Sequence, residues 1–192
     1  MKHNWDDYAA QWESDPATAQ FSDQAFAELQ ALQSVTGANI LDFGCGTGLL
    51  SQRMAPLAKS IVALDASEAM IEELDKKALH NVEPVVDELT RGLVAQHPAF
   101  RKQFDIVVAS SVCGFVADFK ETAVIIHSLL DELGVFVHWD WLSDDSDQGL
   151  TQQSAHSILH GAGFTDIEIS IPFDIKMKDG SSKPVLMGVA YK

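Results

Sequence analysis

Residues 40–48 read Ile-Leu-Asp-Phe-Gly-Cys-Gly-Thr-Gly, a short apolar run that passes at once into three alternating glycines. The run ending at Phe43 suits a buried strand. Gly44, Gly46 and Gly48 suit a turn whose main chain is approached closely, because no Cβ stands between the backbone and whatever lies on it. A helix is predicted over 47–57, with its first free N–H groups and positive dipole end aimed at the same place. Strand, bare turn and helix together call for an alternating β/α fold with a nucleotide-like or carboxylate-bearing ligand on the turn.

The rest of the chain agrees. Up to residue 35 it is helical in pattern, with Trp5, Tyr8 and Trp12 on one face, a second segment over 22–35 carrying Phe26, Leu29 and Leu32, and Pro16 between the two. Strands are predicted at 40–43, 61–64, 82–86, 104–109 and 135–141. Helices are predicted from Ser67 to about residue 78, from Asp118 or Lys120 to about 132 with Gly134 as the stop, and over 151–160 with Gly161 as the stop. Two β-prone stretches, 164–175 and 185–191, flank the turn signal Asp179-Gly180. The expected architecture is α/β: a Rossmann-like, doubly wound sheet of seven strands, five parallel plus a C-terminal antiparallel hairpin. One domain over 1–192 is expected, with 1–36 as a helical cap and 37–192 as the core.

Charge narrows the partners. Thirteen basic against 28 acidic residues leave a formal charge of −15, which repels a polyphosphate backbone and argues against nucleic acid. No apolar run approaches the roughly 20 residues of a membrane span, and no basic-then-apolar leader opens the sequence. Cys45 and Cys113 match neither a redox pair nor a zinc framework and read as packed thiols, so a reducing, cytoplasmic setting is expected.

In an open parallel sheet a ligand sits beyond the carboxyl ends of the strands, where strand order reverses. Asp42 lies in the first strand on the opposite parity from Leu41 and Phe43, Asp65 closes the second and Asp87 the third. Asp65 stands where a carboxylate can accept hydrogen bonds from ribose hydroxyls. Two features then separate a dinucleotide from an adenosyl ligand. The glycines follow G-x-G-x-G, with Leu49 where G-x-G-x-x-G needs its last glycine. Asp42 beside the turn opposes a pyrophosphate and favours an ammonium or sulfonium.

Residues 40–48 resemble the first motif of the class I S-adenosylmethionine-dependent methyltransferases, of the small single-domain type that acts on small molecules. Val62-Ala-Leu-Asp-Ala-Ser67 with Met70 resembles the family's second-strand ribose motif, Phe104-Asp-Ile-Val-Val-Ala-Ser110 its fourth-strand motif, and Leu130-Asp-Glu-Leu-Gly-Val-Phe136 its approach to the fifth strand. The resemblance is close over 38–141. It implies S-adenosyl-L-methionine as cofactor and methyl transfer by in-line displacement to an acceptor whose identity it does not supply. It also implies roles: Gly44, Gly46 and Ser110 at the methionine end, Asp65 on the ribose, Ala66 and Met70 against adenosine, Asp87 with neighbouring Glu88 at the adenine amino group, and Tyr8 or Trp12 closing the pocket. Asp42 is either a cofactor contact or a support for the turn. Two rival readings are a catalytically silent cofactor-binding subunit and an NAD-dependent oxidoreductase.

The chain departs from many small-molecule relatives after the fourth strand, at Ser111-Val-Cys-Gly-Phe115, and at the end of the fifth, His138-Trp-Asp-Trp141. His138 and Asp140 share a strand face near the expected acceptor, as a general base or as packing. No metal is expected: His156 and His160, one helical turn apart, lack an accompanying Glu motif, and Asp144, Asp145 and Asp147 read as an exposed loop rather than a calcium site.

Overall fold

A computed structural model describes residues 4–145 and 149–192; Asp147 lies outside the described residues. Alternation of strand and helix produces a seven-stranded sheet built from β1 (Asn39–Phe43), β2 (Ser60–Asp65), β3 (Val82–Val86), β4 (Phe104–Ser110), β5 (Leu130–Trp141), β6 (Asp166–Lys176) and β7 (Ser182–Tyr191). The strand order is β3-β2-β1-β4-β5-β7-β6. The first five strands pair in parallel and β7 runs antiparallel to both β5 and β6. The order reverses between β1 and β4, so the crevice outside their carboxyl ends lies above Phe43 and Ser110.

Parity along the strands sorts the core into two faces. Ile40, Ile61, Ile106, Val108, Val137 and Trp139 pack with Phe21, Ala25 and Leu29 of α1 (Pro16–Leu32) and with Leu50 and Met54 of α2 (Leu49–Met54). Leu41, Phe43, Val107, Ala109 and Phe136 pack on the other side. Their partners are Leu93 of α4 (Arg91–Gln96), Ile126 of α5 (Phe119–Leu129) and Leu159 of α6 (Gln152–Gly161). Between α2 and α4, α3 (Glu68–Asp75) lays Ile71 and Leu74 over Cys45 and Ala63. Side chains cap these helices as expected: Ser67 accepts from Met70 N–H, Asp118 from Glu121 N–H and Thr151 from Ser154 N–H.

Several boundaries differ from the sequence reading, each for a local reason. Residues Trp5–Ser14 form a 3-10 helix. The following helix starts at Pro16 rather than residue 22, because Asp15 accepts from Ala17 N–H and Pro16 fits the first helical position. The helix after the glycines starts at Leu49, since Gly48 takes a left-handed φ of +79° that cannot be part of the helix. Gly134 is not a helix stop: α5 ends at Leu129 and the chain enters β5 directly, with a register shift against β4 between Phe104 and Ile106. The short α4, capped by Thr90, carries too few turns to register as a period. Among the described residues no helix is long and apolar enough to cross a membrane.

Across the β5–β7 pair, His138 faces Gly188. A Cβ at Gly188 would run into Nε2 of the imidazole, and that ring has no room to retreat between Phe136 and Phe119. Gly188→Ala is therefore expected to destabilise the protein by about 1–3 kcal/mol, the usual range for overpacking, measured as a fall in the urea midpoint. An unchanged midpoint would mean that the ring is free to move.

Candidate active site

The turn after β1 is the centre of the site. Gly44, Gly46 and Gly48 all have positive φ, +66°, +55° and +79°. Their reasons differ. The Cβ position at Gly44 is taken by the side chain of Val112, and that at Gly48 by Leu74, so these two glycines admit neighbours from the post-β4 loop and α3. Only at Gly46 would a Cβ fit without a clash, in van der Waals contact with Trp12 Nε1 at 3.8 Å and Met70 Sδ at 4.0 Å. The sequence reading gave Gly44 and Gly46 one role; the structure separates a crowded glycine from an uncrowded one.

Asp65 aims its carboxylate at this turn. Oδ2 accepts from Gly46 N–H at 2.8 Å and Oδ1 from Ser67 N–H at 2.9 Å, which ties the end of β2 to both the glycine turn and the start of α3. Burial raises its pKa, while bonds from Ser67, Gly46 and Ala66 oppose the rise. Asp42 lies deeper, wholly buried on the α2 side of β1. Its Oδ2 accepts from Ser51 Oγ–H at 2.7 Å, and Oδ1 has no partner. Burial pushes its pKa up to about 6, against the Ser51 bond and with a contribution from the charge of Asp65. Two buried carboxylates, one with an orphaned oxygen, make the surroundings of the turn suited to a cation and hostile to a phosphate.

The remaining predicted residues gather less tightly. Met70 is buried and Ala66 exposed, both beside Asp65, and Ser110 is half-buried at the end of β4. Asp87 is exposed one residue past β3; its N–H bonds to Asp65 O at 3.0 Å and its Oδ1 accepts from Glu88 N–H at 2.7 Å.

The leading 3-10 helix closes over the turn. Asp6 accepts from Ser67 Oγ–H at 2.5 Å, Glu13 from Thr47 Oγ1–H at 2.7 Å, and Glu13 also pairs with Lys77. Trp5 is ringed by Tyr8 at 6.3 Å, Trp12 at 5.9 Å and Phe115 at 5.4 Å. Trp12 thus stands over Gly46, while Tyr8 and Phe115 form an outer aromatic rim, 52% and 45% exposed. Sequence reasoning named Tyr8 and Trp12 and singled out the 111–115 segment that ends in Phe115, but missed Glu13, whose role depends on contacts between distant segments.

His138 and Asp140 do not reach this opening. Both are buried, with His138 Nδ1 and Asp140 Oδ2 2.7 Å apart and Gly114 N–H donating to Asp140 Oδ1 at 2.9 Å. The general-base alternative gives way to packing and support. Cys113 joins them; burial first, then the charge and hydrogen bond of Asp140, pushes its thiol pKa well up. These three are the one cluster of three potential metal donors among the described residues, with ligand atoms within 4.8 Å of one another. Within it His138 Nδ1 and Asp140 Oδ2 are hydrogen-bonded to each other, and Asp140 Oδ1 to Gly114 N–H. Cys45 and Cys113 are free and buried, His156 and His160 are exposed with stacked rings, and Asp144 and Asp145 are exposed.

Comparison with known proteins agrees with this geometry. The methyltransferase-domain family matches residues 17–169. An uncharacterized methyltransferase of Schizosaccharomyces pombe is 30% identical over 122 residues, which span 59% of this chain and 42% of that one. A ubiquinone biosynthesis O-methyltransferase of Chelativorans sp. is 39% identical over 90 residues, 46% of this chain and 34% of that one. This chain thus spans well under half the length of these relatives. Among solved structures, the DhpI–SAH complex superposes with a TM-score of 0.74 at 18% identity, covering 97% of this chain and 92% of that one, which shows a shared fold. The chain belongs to the methyltransferase-domain family, within the class I S-adenosylmethionine-dependent methyltransferases. The match leaves the NAD-dependent reading without support.

Proposed function

We propose that this chain transfers a methyl group from S-adenosyl-L-methionine to a small-molecule acceptor that enters past the aromatic rim. The observation that carries the reading is the conjunction at the switch point of Gly46, uncrowded beneath Trp12 and Met70, the Asp65 carboxylate bonded to its N–H, and the buried, half-satisfied Asp42. These residues fit an adenosyl cation: Asp65 would hold the ribose, Met70 and Ala66 would flank adenosine, and Asp87 would lie at its far end. Asp42 would offer negative charge near the methionine end, alongside Gly44, Gly46 and Ser110. The bound cofactor supplies an electrophilic methyl on a sulfonium.

The protein's own work is alignment and exclusion of water. Holding an acceptor atom about 3 Å from the reacting carbon supplies much of the acceleration without a general base. Trp12 and Trp5 shield the turn, and the exposed rings of Tyr8 and Phe115 suit a flat or apolar acceptor. A small acceptor also agrees with the ubiquinone biosynthesis for which the Chelativorans relative is named. The formal charge of −15 disfavours nucleic acid, and two free buried thiols fit a cytoplasmic setting. Incubating the protein with methyl-labelled S-adenosylmethionine and a cell extract should place label in a small-molecule fraction. Label confined to protein, or none at all despite cofactor binding, would defeat the proposal.

Asp42 gives the site a pH signature. Its folded-state pKa of about 6 lies above the ordinary value of 3.8, so the fold prefers the protonated acid. Its contribution to stability is complete below about pH 4 and is lost as pH rises through 6. A sulfonium prefers the ionised form. The preference for S-adenosylmethionine over uncharged-sulfur S-adenosylhomocysteine should therefore shrink by up to about tenfold per unit below pH 6, with proton release on binding, both read by calorimetry in two buffers. A ratio that is constant from pH 7.5 to 5 would remove Asp42 from the cation's surroundings.

A further inference from the structure

The loop of residues 111–115 touches everything that matters. Ser111 leaves β4 with a left-handed φ of +62°, uncommon for a residue with a side chain, and its N–H bonds to Trp139 O at 2.7 Å. Val112 covers Gly44, and Phe115 packs on Trp5 of the cap. One loop therefore borders both the cofactor turn and the aromatic rim. Between those two contacts it is held from below by one side chain: Asp140 accepts from Gly114 N–H and interacts with the Cys113 thiol.

We propose that Asp140, oriented by His138, is a positioning residue that fixes the 111–115 loop and thereby the acceptor side of the cofactor pocket. The reading of that side as an acceptor wall rests on the function proposed above. Asp140 is well built for the task. Its two oxygens are shared between a main-chain N–H of the loop and Nδ1–H of His138. The other imidazole nitrogen has no partner, and the ring is clamped by Phe136, Phe119 and the bare backbone of Gly188. The proton is thereby assigned to Nδ1, and the carboxylate cannot rotate away without leaving a buried donor unmet. An amide at 140 keeps both contacts only if His138 moves its proton to Nε2, where no acceptor meets it, so the pair is weakened.

The test compares Asp140→Asn, His138→Leu and His138→Asn with the wild type. In His138→Asn the amide N–H takes the place of Nδ1–H. Three readouts are needed: hydrogen exchange at the Gly114 amide against core amides such as Val108, S-adenosylhomocysteine affinity by calorimetry, and label transfer from S-adenosylmethionine into cell extract. In Asp140→Asn and His138→Leu, Gly114 should exchange about tenfold faster or more relative to Val108. The Kd for S-adenosylhomocysteine should change less than about fivefold and label transfer should drop at least about tenfold, with His138→Asn recovering most of the loss. Unchanged Gly114 exchange in Asp140→Asn, faster exchange with undiminished transfer, or equal loss in both His138 variants would each overturn the proposal. If the wild type binds cofactor but transfers no label, the enzymatic reading fails, and Gly114 exchange alone still decides whether Asp140 anchors the loop.

Discussion

Replacing Asp65 by alanine should weaken S-adenosylhomocysteine binding by about 1–3 kcal/mol, or roughly 5- to 150-fold in Kd. The size follows from what the carboxylate holds. Besides any ribose contact, it satisfies Gly46 N–H and Ser67 N–H, so its removal frees two backbone donors at the turn and at the start of α3. Asp65→Asn should retain part of the affinity, since one amide oxygen still accepts. Calorimetry at neutral pH measures both variants, and an affinity unchanged in Asp65→Ala would remove the ribose assignment.

Gly44→Ala and Gly46→Ala should fail in different ways. At Gly44 a methyl would demand the place of the branched Val112 side chain in a left-handed backbone. Overpacking and backbone strain together should cost about 2–4 kcal/mol, lowering the melting temperature of the ligand-free protein by roughly 5–15 °C. At Gly46 the methyl meets nothing nearer than 3.8 Å, leaving only the strain of φ +55°, about 1 kcal/mol. Its main effect should be on the cofactor, which on the proposed reading lies against this turn, and tenfold or greater loss of affinity is expected. Equal melting temperatures for the two variants would contradict the distinction between a crowded and an uncrowded glycine.

The architecture was legible because its signals are local. Hydrophobic runs at 40–43, 61–64, 82–86, 104–109 and 135–141 mark the parallel strands, and Asp179-Gly180 marks the hairpin, where Gly180 takes a φ of +84°. Strand order is not local and was not read from the sequence; the pairing supplies it. What escaped depends on partners far along the chain. Nothing near Gly44 announces Val112, nothing near Glu13 announces Thr47 and Lys77, and nothing in His138-Trp-Asp-Trp141 says that the two polar residues face inward onto Gly188 and Gly114. Asp42 was read as a charge favouring a cation, as a cofactor contact or a support for the turn; its unpartnered oxygen needed coordinates. Asp15-Pro16 was a readable helix start that was passed over in favour of a later one.

The leading helix is latched to the sheet by single contacts spread over distant sequence, Asp6 to Ser67, Glu13 to Thr47 and Lys77, and Trp5 to Phe115. A molecule enclosed beneath it gains its walls from that latch, so occupancy and latching must strengthen one another by equal free energy. On the function proposed above, residues 5–14 cover the bound cofactor, and the firmness of that cover sets how long a spent cofactor stays inside. The Glu13–Lys77 pair loosens as salt screens it, so on that reading cofactor release should quicken with ionic strength.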